Sequence, residues 1–505
     1  MNIRLAGFNV DIDAINELKK INKQNKNALK IINSLTPETI AASYARISRD
    51  KRNINLLRKD ARKDIEKTRK SNTAIIFTMG HKSIAEHAVF NFDIMNVSRY
   101  AIEFIEKSRL ASYTEKSQRY ITLDGDFVIP KEFINAGIDK EYKKLIENDL
   151  YKYYFDVIDT LKQYHIKEVK NIDLKSIGLP LGGPRLDMIL EGWAKEDARY
   201  ILPMSVEAQL GLTISARNLE NLITKLRSSN IFELNDIGEK LFKLTDGIAP
   251  SIIKYIKPTD YFTKTNTTLI KTLKDVINLK KSVKSVKEVN IFNNLKNDDA
   301  IIAGIIFSYL NIDYNNALQI SKSLSSKKKA MIVQASILNK DKHDPMIREF
   351  ELGNRVAELI VSSSCFAQLK RHRMNTLIVS NYDLGLKNTI PKSIIKTNLH
   401  KKFNELIIKV NNFYKKSKKI LKRDNLLPYI LTNSHRRRVL LVANNRQIHA
   451  IALERLNIYA QWDIREITEK YIKEIQKTSP ITLAFVPGKN SYNKIKEEFL
   501  KKFIM

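Results

Sequence analysis

Two short stretches hold the side chains that could bind an anion and steer charge. The first runs Arg109-Leu-Ala-Ser-Tyr-Thr-Glu115-Lys-Ser117-Gln-Arg119-Tyr120. Ser117 and Arg119 are two apart, so an extended loop projects both to one side. Such a loop can hold a phosphate through its Ser and Arg while Glu115 orients a neighbouring group; a surface salt-bridge loop is the plainer alternative. The second stretch is Gln368, Arg371, His372 and Arg373. On a helix Gln368 and Arg371 share a face at i, i+3 spacing. Three adjacent groups that carry or can acquire positive charge repel one another, and an anion such as a diphosphate would relieve the repulsion. A solvated helix end is the alternative, because cations favour a helix C-terminus. Isolated arginines follow: Arg199, Arg217 and Arg227, then Arg446 and Arg455. Arg217 and Asn221 lie one helical turn apart, as a ligand-facing pair would. Arg227, ending the stretch LENLITKL, also reads as a helix-end cation.

These clusters sit in a duplicated frame. DFVIPKEFI around Pro130 recurs as NTIPKSII around Pro391. A helical stretch follows each copy, and then a tyrosine-led apolar segment, Tyr200-Ile-Leu-Pro or Tyr429-Ile-Leu-Thr. TISARNLENLITKLR then pairs with VANNRQIHAIALERL. Matches in one order imply an internal repeat. We expect a first repeat at 1–255, a polar, Lys-rich linker with some helix at 256–285, and a diverged second repeat at 286–505. HAVFNFDIMNV alternates as a half-buried strand does, and SRYAIEFIEKSR follows with helical spacing and Ser98 as N-cap. EAQLGLTIS and RRVLLVA read as strands that each feed a helix. FELGNRVAELIVSSSCFAQLKRHR reads as a strand end leading into a long helix. The fold class expected is α+β, each repeat a mostly antiparallel sheet packed with helices. The glycines of the inserted IGLPLGGPRLDM are most simply turn residues, and no Lys-Ser/Thr follows to make a phosphate loop.

Composition bounds the rest. The chain has 505 residues, 43% of them hydrophobic, and no apolar run approaching the ~20 residues of a membrane span. The N-terminus lacks the pattern of a signal peptide, so a cytoplasmic protein without a membrane partner is expected. One cysteine, Cys365, excludes an internal disulfide and a multi-thiolate metal site, and no metal is expected. Its setting, SSSCFAQ, is that of a packing residue and not of an activated thiolate. The net charge of +32 favours anionic partners, nucleic acid included. The excess is nevertheless scattered lysine among much Ile and Asn, not one stripe.

The order HKSIAEHAVFNFDI, SRLASYTEKSQRY, DARYILP and an Ala-Arg-Asn helix resembles the flavin-dependent thymidylate synthases. That family is marked by Arg-His-Arg, a seven-residue gap and Ser. Arg109 and Ser117 keep the gap, with Lys107 and Ser108 in place of the leading Arg-His. Arg371-His372-Arg373 is intact in the second repeat, but MNTLIVSNYDL follows without the Glu and Arg. Ala460-Gln461-Trp462-Asp463-Ile464-Arg465 resembles the family's C-terminal helix.

The resemblance implies two copies of that family's fold and FAD-dependent methylation of dUMP to dTMP. Methylenetetrahydrofolate would donate the carbon and NADPH would reduce the flavin. It assigns Gln368, Arg371, Glu115, Ser117, Arg119 and Arg199 to dUMP. Arg227 or Arg455 would face negative charge on the pyrimidine. To the flavin it assigns His81, Ser83, Glu86, Arg109, Arg371, His372, Arg373, Arg217, Asn221, Asn444 and Arg446, with the cations favouring its reduced, anionic form. His81 and His87 also read as a packed pair of core histidines. In the second repeat Arg348 replaces Glu86, and Pro428 stands where Arg199 lies in the first. Family members are homotetramers with sites between subunits, so the losses are complementary. Gln368, Arg371 and Arg455 would face Glu115, Ser117 and Arg119. The reciprocal site would have Phe104 and Lys107, no acidic loop, and would keep Arg199 and Arg227. The fused chain would dimerise to imitate the tetramer. The alternatives are a degenerate synthase that binds nucleotide or RNA, and an assembly partner of a separate complete enzyme.

Overall fold

The computed structural model describes residues 1–20, 26–175, 177–277, 286–292 and 298–501. Its strands are β1 (Asn2–Phe8), β2 (Val89–Ser98), β3 (Ala111–Glu115) and β4 (Glu207–Ser215), then β5 (Val289–Ile291), β6 (Asn354–Ser362), β7 (Thr376–Tyr382) and β8 (Arg436–Asn444). They form two four-stranded sheets, ordered β1-β2-β4-β3 and β5-β6-β8-β7. Every ladder is antiparallel. The second sheet thus repeats the strand order of the first. Phe90, Phe92 and Ile94 alternate into the core, as the period of a half-buried strand requires.

The helices that matter to the site are α1 (Arg99–Ile105), α2 (Ala216–Arg227), α3 (Phe232–Asp246), α4 (Ser363–Leu369), α5 (His400–Leu421), α6 (Asn445–Arg455) and α7 (Trp462–Gln476). A serine caps α1 and α4 alike. Ser98 Oγ accepts from the Ala101 amide and Ser362 Oγ from the Cys365 amide, each at 2.9 Å. The long helix expected after Ser362 is in fact α4 alone, which ends at Leu369. Beyond it Lys370 pairs with Glu106, Arg371 approaches Glu115, His372 accepts from Arg455 and Arg373 donates to the Arg109 carbonyl.

The repeats share a core. Phe403, Leu406, Val410 and Phe413 of α5, with Leu426 and Tyr429, join the first repeat's cluster around Phe133 and Tyr142. Each side chain buried this fully contributes roughly 1.5–3 kcal/mol. Two buried braces cross the boundary in mirrored fashion. Glu233 on α3 accepts from Ser98 Oγ at 2.7 Å and from Tyr429 of the other repeat at 2.5 Å. Asp463 on α7 accepts from Ser362 Oγ at 2.5 Å and from Tyr200 of the other repeat at 2.9 Å. Residues 264 apart in sequence meet where α1 and α4 approach. Arg99 donates to the Ser363 carbonyl at 3.1 Å and Arg373 to the Arg109 carbonyl at 3.0 Å. The same spacing pairs Glu106 with Lys370 at 2.6 Å, both side chains 7% exposed.

Other expectations change. His81 and His87 are exposed and not core, and His87 lies edge-on to Tyr44. Of the expected linker, Asp260–Val276 is a helix with no buried residue, and residues 278–285 lie outside the described ones. Cys365 is fully buried, and burial raises its thiol well above the ordinary range. Among the described residues no helix is long and apolar enough to cross a membrane.

Candidate active site between the repeats

The two charged clusters meet across the repeat boundary. β3 ends at Glu115, where the Lys116 amide still bonds the Gln209 carbonyl of β4 at 2.9 Å. That end of the strand faces the turn after α4, and Arg371 lies 3.6 Å from the Glu115 carboxylate. Arg109 donates to Thr376 Oγ1 at 3.2 Å, and the Arg373 guanidinium lies 5.8 Å from the centre of the Tyr113 ring. Ser117 Oγ accepts from the Arg119 amide at 3.2 Å, fixing the loop. The Arg119 side chain pairs with Glu196 and donates to the Tyr459 carbonyl at 2.8 Å.

Behind these groups lies a buried polar chain. Arg455, at the end of α6, donates to His372 Nε2 at 2.9 Å and to Gln368 Oε1 at 3.3 Å. Gln368 donates to Gln461, which donates to Ser364 Oγ at 2.8 Å and to the Tyr200 hydroxyl at 2.7 Å. Arg199, 5% exposed, also donates to Ser364 Oγ, at 2.9 Å. Arg199 therefore lies on the same side as Arg119, with which it was assigned to dUMP, and not in the reciprocal site that was also expected to keep it. Among the described residues, Arg199 Nε and both amide atoms of Gln118 are buried without a hydrogen-bond partner. Buried donors of this kind favour a polar ligand beside them.

The electrostatics separate the basic groups. Desolvation, and then the Arg455 charge, drives His372 down to about 3. It is neutral, and its Nε2 accepts from Arg455, so the run Arg371-His372-Arg373 carries two charges and not three. Desolvation, and then Arg371, lowers Arg455 to about 10. Desolvation, and then Arg99, does the same to Arg199. Both stay cationic at neutral pH, but their charge is poorly solvated and available to an anion.

Two cavities open here. One, of about 590 Å³, is lined from the first repeat by Val89, Arg109–Ser112 and Thr213–Ser215, and from the second by Arg371–Asn375, Gln447 and Ala450. Apolar walls of Leu110, Ile214, Met374 and Ala450 beside three arginines suit a flat ligand with an anionic tail. The other, of about 580 Å³, is lined by Arg119, Arg455 and Tyr459, with further residues of the second repeat.

Several expected residues are not brought to these cavities. Arg227 pairs with Glu239 of α3 at 2.7 Å and donates to the Ile256 carbonyl at 3.3 Å. A Cβ on Gly238 would come within 2.9 Å of its side chain, so Arg227 is a packing residue between α2 and α3. Arg446 donates to the Met346 carbonyl at 2.8 Å and pairs with Glu351 at 2.6 Å. Asn444 caps α6, its Oδ1 accepting from the Gln447 amide at 2.9 Å. Arg217 pairs with Glu86 at 2.6 Å, and it shares an exposed face with His81, Ser83 and Asn221. That face adjoins the first cavity through Val89 and Ser215, since Ser215 immediately precedes the helix that carries Arg217.

The reciprocal position is filled. By the 264-residue spacing, Gln368, Arg371, Glu115 and Arg119 correspond to Phe104, Lys107, Val379 and Asp383. Arg437 pairs there with buried Glu103 at 2.9 Å, its guanidinium 3.9 Å from the centre of the Phe366 ring and 4.6 Å from that of Tyr382. The sequence reading missed Glu196, Ser364, Gln461 and Tyr459 as parts of the site. Gln461 lay within the Ala460–Arg465 stretch and Ser364 within SSSCFAQ, which was read only as the setting of a packing cysteine.

Comparisons with known proteins agree with the duplicated frame. The family described as thymidylate synthase complementing protein (Thy1) matches residues 30–251 and 297–481. A flavin-dependent thymidylate synthase of Clostridium tetani is 29% identical over 230 residues, 44% of this chain and 83% of that one. UPF0159 protein Ta1429 of Thermoplasma acidophilum is 23% identical over 445 residues, 80% of this chain and 86% of that one. The crystal structure of a flavin-dependent thymidylate synthase from Helicobacter pylori, complexed with FAD and dUMP, is 19% identical with a TM-score of 0.31, covering 51% of this chain and 100% of that one. With each half matched by the family, the chain belongs to the thymidylate synthase complementing proteins, the flavin-dependent thymidylate synthases, as a tandem-duplicated member.

Proposed function

We propose that this chain methylates dUMP to dTMP at one composite site, with methylenetetrahydrofolate as carbon donor and NADPH as reductant. The observation that carries the reading is the meeting of Arg371 with Glu115 across the repeats, while Arg119 and Arg455 share one cavity. In it Arg119 receives the nucleotide phosphate, with buried Arg199 close behind. Gln368 and Arg371 orient the base, and Glu115 and Ser117 hold the opposing loop in register. Arg455, and not Arg227, stands against the negative charge that develops on the pyrimidine as its N3 proton is lost. A preorganised cation of this kind is worth about 3 kcal/mol of barrier.

FAD fits the cavity lined by both Arg109 and Arg371–Asn375. Arg109, Arg371 and Arg373 would hold its anionic part, and the apolar walls its ring. When bound, FAD would supply the hydride that completes the methyl group. The exposed face of His81, Ser83, Glu86, Arg217 and Asn221 adjoins that cavity, and a second copy of the chain is the partner we propose for it. The filled reciprocal position supports one nucleotide per chain, with repeats bounded near 1–255 and 286–505. The test is dTMP formation by the FAD-loaded protein, with calorimetry of dUMP binding. Turnover with one dUMP per chain is expected; two equivalents, or a colourless protein that binds none, would contradict the reading.

A further inference from the structure

The cavity that holds Arg119 and Arg455 carries two further cations besides them. Lys342 and Lys489 line it too, and Glu454 is its one carboxylate. Among the described residues neither lysine has a carboxylate partner. Some lysines elsewhere in the same repeat are paired: Lys392 with Glu466 at 2.6 Å, Lys409 with Asp149 at 2.6 Å, Lys470 with Glu288 at 2.5 Å. Both unpaired lysines stand on fixed backbone. The Lys489 amide bonds the Leu453 carbonyl at 3.2 Å, next to the end of α6. Gly488 makes that approach possible, since a Cβ there would come within 1.9 Å of the Leu456 carbonyl oxygen. The Lys342 amide bonds Asp341 Oδ1 at 2.7 Å, and the Asp341 amide bonds Asp344 Oδ2 at 2.9 Å, closing a turn.

We propose that Lys342 and Lys489 form an anion subsite beyond the nucleotide's first phosphate, so that this cavity takes pyrimidine deoxynucleoside diphosphates more tightly than monophosphates. The inference rests on the nucleotide reading of the cavity. Arg119 is committed to Glu196 and the Tyr459 carbonyl on one side and offers the first phosphate the rest of its fork. A second phosphate extends the ligand's charge toward the two ammonium groups, which as mobile point charges suit a flexible phosphate chain. Such ligands would compete with dUMP, and the subsite would tie occupancy of the site to the supply of more highly phosphorylated nucleotides.

The experiment is calorimetric titration of the full-length, FAD-loaded protein with dUMP and with dUDP. The wild type should bind dUDP about tenfold more tightly, the factor set by about 1.4 kcal/mol of added interaction. In the Lys342→Gln, Lys489→Gln double variant that ratio should fall close to one, with an unchanged far-ultraviolet circular dichroism spectrum as the folding check. A wild-type ratio of one or below overturns the proposal, as does a double variant that keeps the full ratio. If neither nucleotide binds, the synthase reading falls. Inorganic pyrophosphate against inorganic phosphate then decides the subsite by itself: preference for pyrophosphate that the double variant loses supports it, and equal binding ends it.

Discussion

Replacing Arg371 with Ala separates a structural ion pair from a shared site. The Arg371 side chain is 51% exposed, while that of Glu115, 3.6 Å away, is 6% exposed. A pair with one solvated partner contributes at most about 1 kcal/mol to folding. In a chain of this size that shifts melting by about 2 °C or less. A cation that fixes the base in its reactive orientation is instead worth about 3 kcal/mol, on the order of a hundredfold in turnover. Arg371→Ala should therefore cost roughly two decades of dTMP formation with almost no loss of stability. Arg119→Ala, made in the other repeat, should lose turnover to a comparable degree, because both arginines serve one site. The assay is dTMP formation under saturating FAD and dUMP, with a thermal melt of each variant. If either variant turns over like the wild type, or if both lose activity only in step with unfolding, the shared site is refuted.

Other outcomes follow from the geometry. Arg455→Ala should abolish turnover, whereas Arg227→Ala should lower the melting temperature and leave kcat near the wild type; the reverse pattern would restore Arg227 to the site. Tyr200→Phe and Tyr429→Phe should each cost about 1–3 kcal/mol in denaturant titrations, since each leaves a buried carboxylate short of a donor; unchanged midpoints would show the braces are idle. Arg437→Ala should destabilise the fold by about 3–5 kcal/mol by stranding buried Glu103; a neutral effect would argue that water reaches the carboxylate. Burial holds His435 and His449 down to about 3. The unfolded chain takes up their protons near pH 6.5, so stability should fall as pH drops below that value, approaching about 2.7 kcal/mol per pH unit for the pair. Denaturant midpoints that stay flat from pH 7 to 5 would count against it.

Much of this was legible in the sequence because it is local or repeated. The alternation of β2, the Ser98 cap and the doubled order of motifs each depend on neighbours in the chain. The complementary clusters were legible because each repeat lacks what the other keeps. The remainder depends on contacts that no local pattern encodes. Arg227 and Arg455 both end apolar helices, and only Glu239 and Gly238 on α3 draw the first away from the site. His372 looked cationic beside two arginines, yet the bond from Arg455 and the loss of water make it a neutral acceptor. Glu196 precedes DARYILP without any mark of its role, which arises only when Arg119 reaches it from a distant loop. α4 ends at Leu369 in a tightened turn, the Arg371 amide bonding the Gln368 carbonyl and the His372 amide the Leu369 carbonyl, which no breaker residue in the sequence announces.

The contact of Glu106 with Lys370 has a consequence for how the two halves associate. In an assembly of identical subunits, a residue at a twofold axis faces its own copy, so Glu would oppose Glu and Lys would oppose Lys. Opposite charges at corresponding positions arise only when the copies differ, and here one chain supplies both. Neither half released alone is suited to pair with itself across this surface: two acids or two ammonium groups, each drained of water, would be forced together. Covalent fusion has made the halves into unlike partners, each specified by the other.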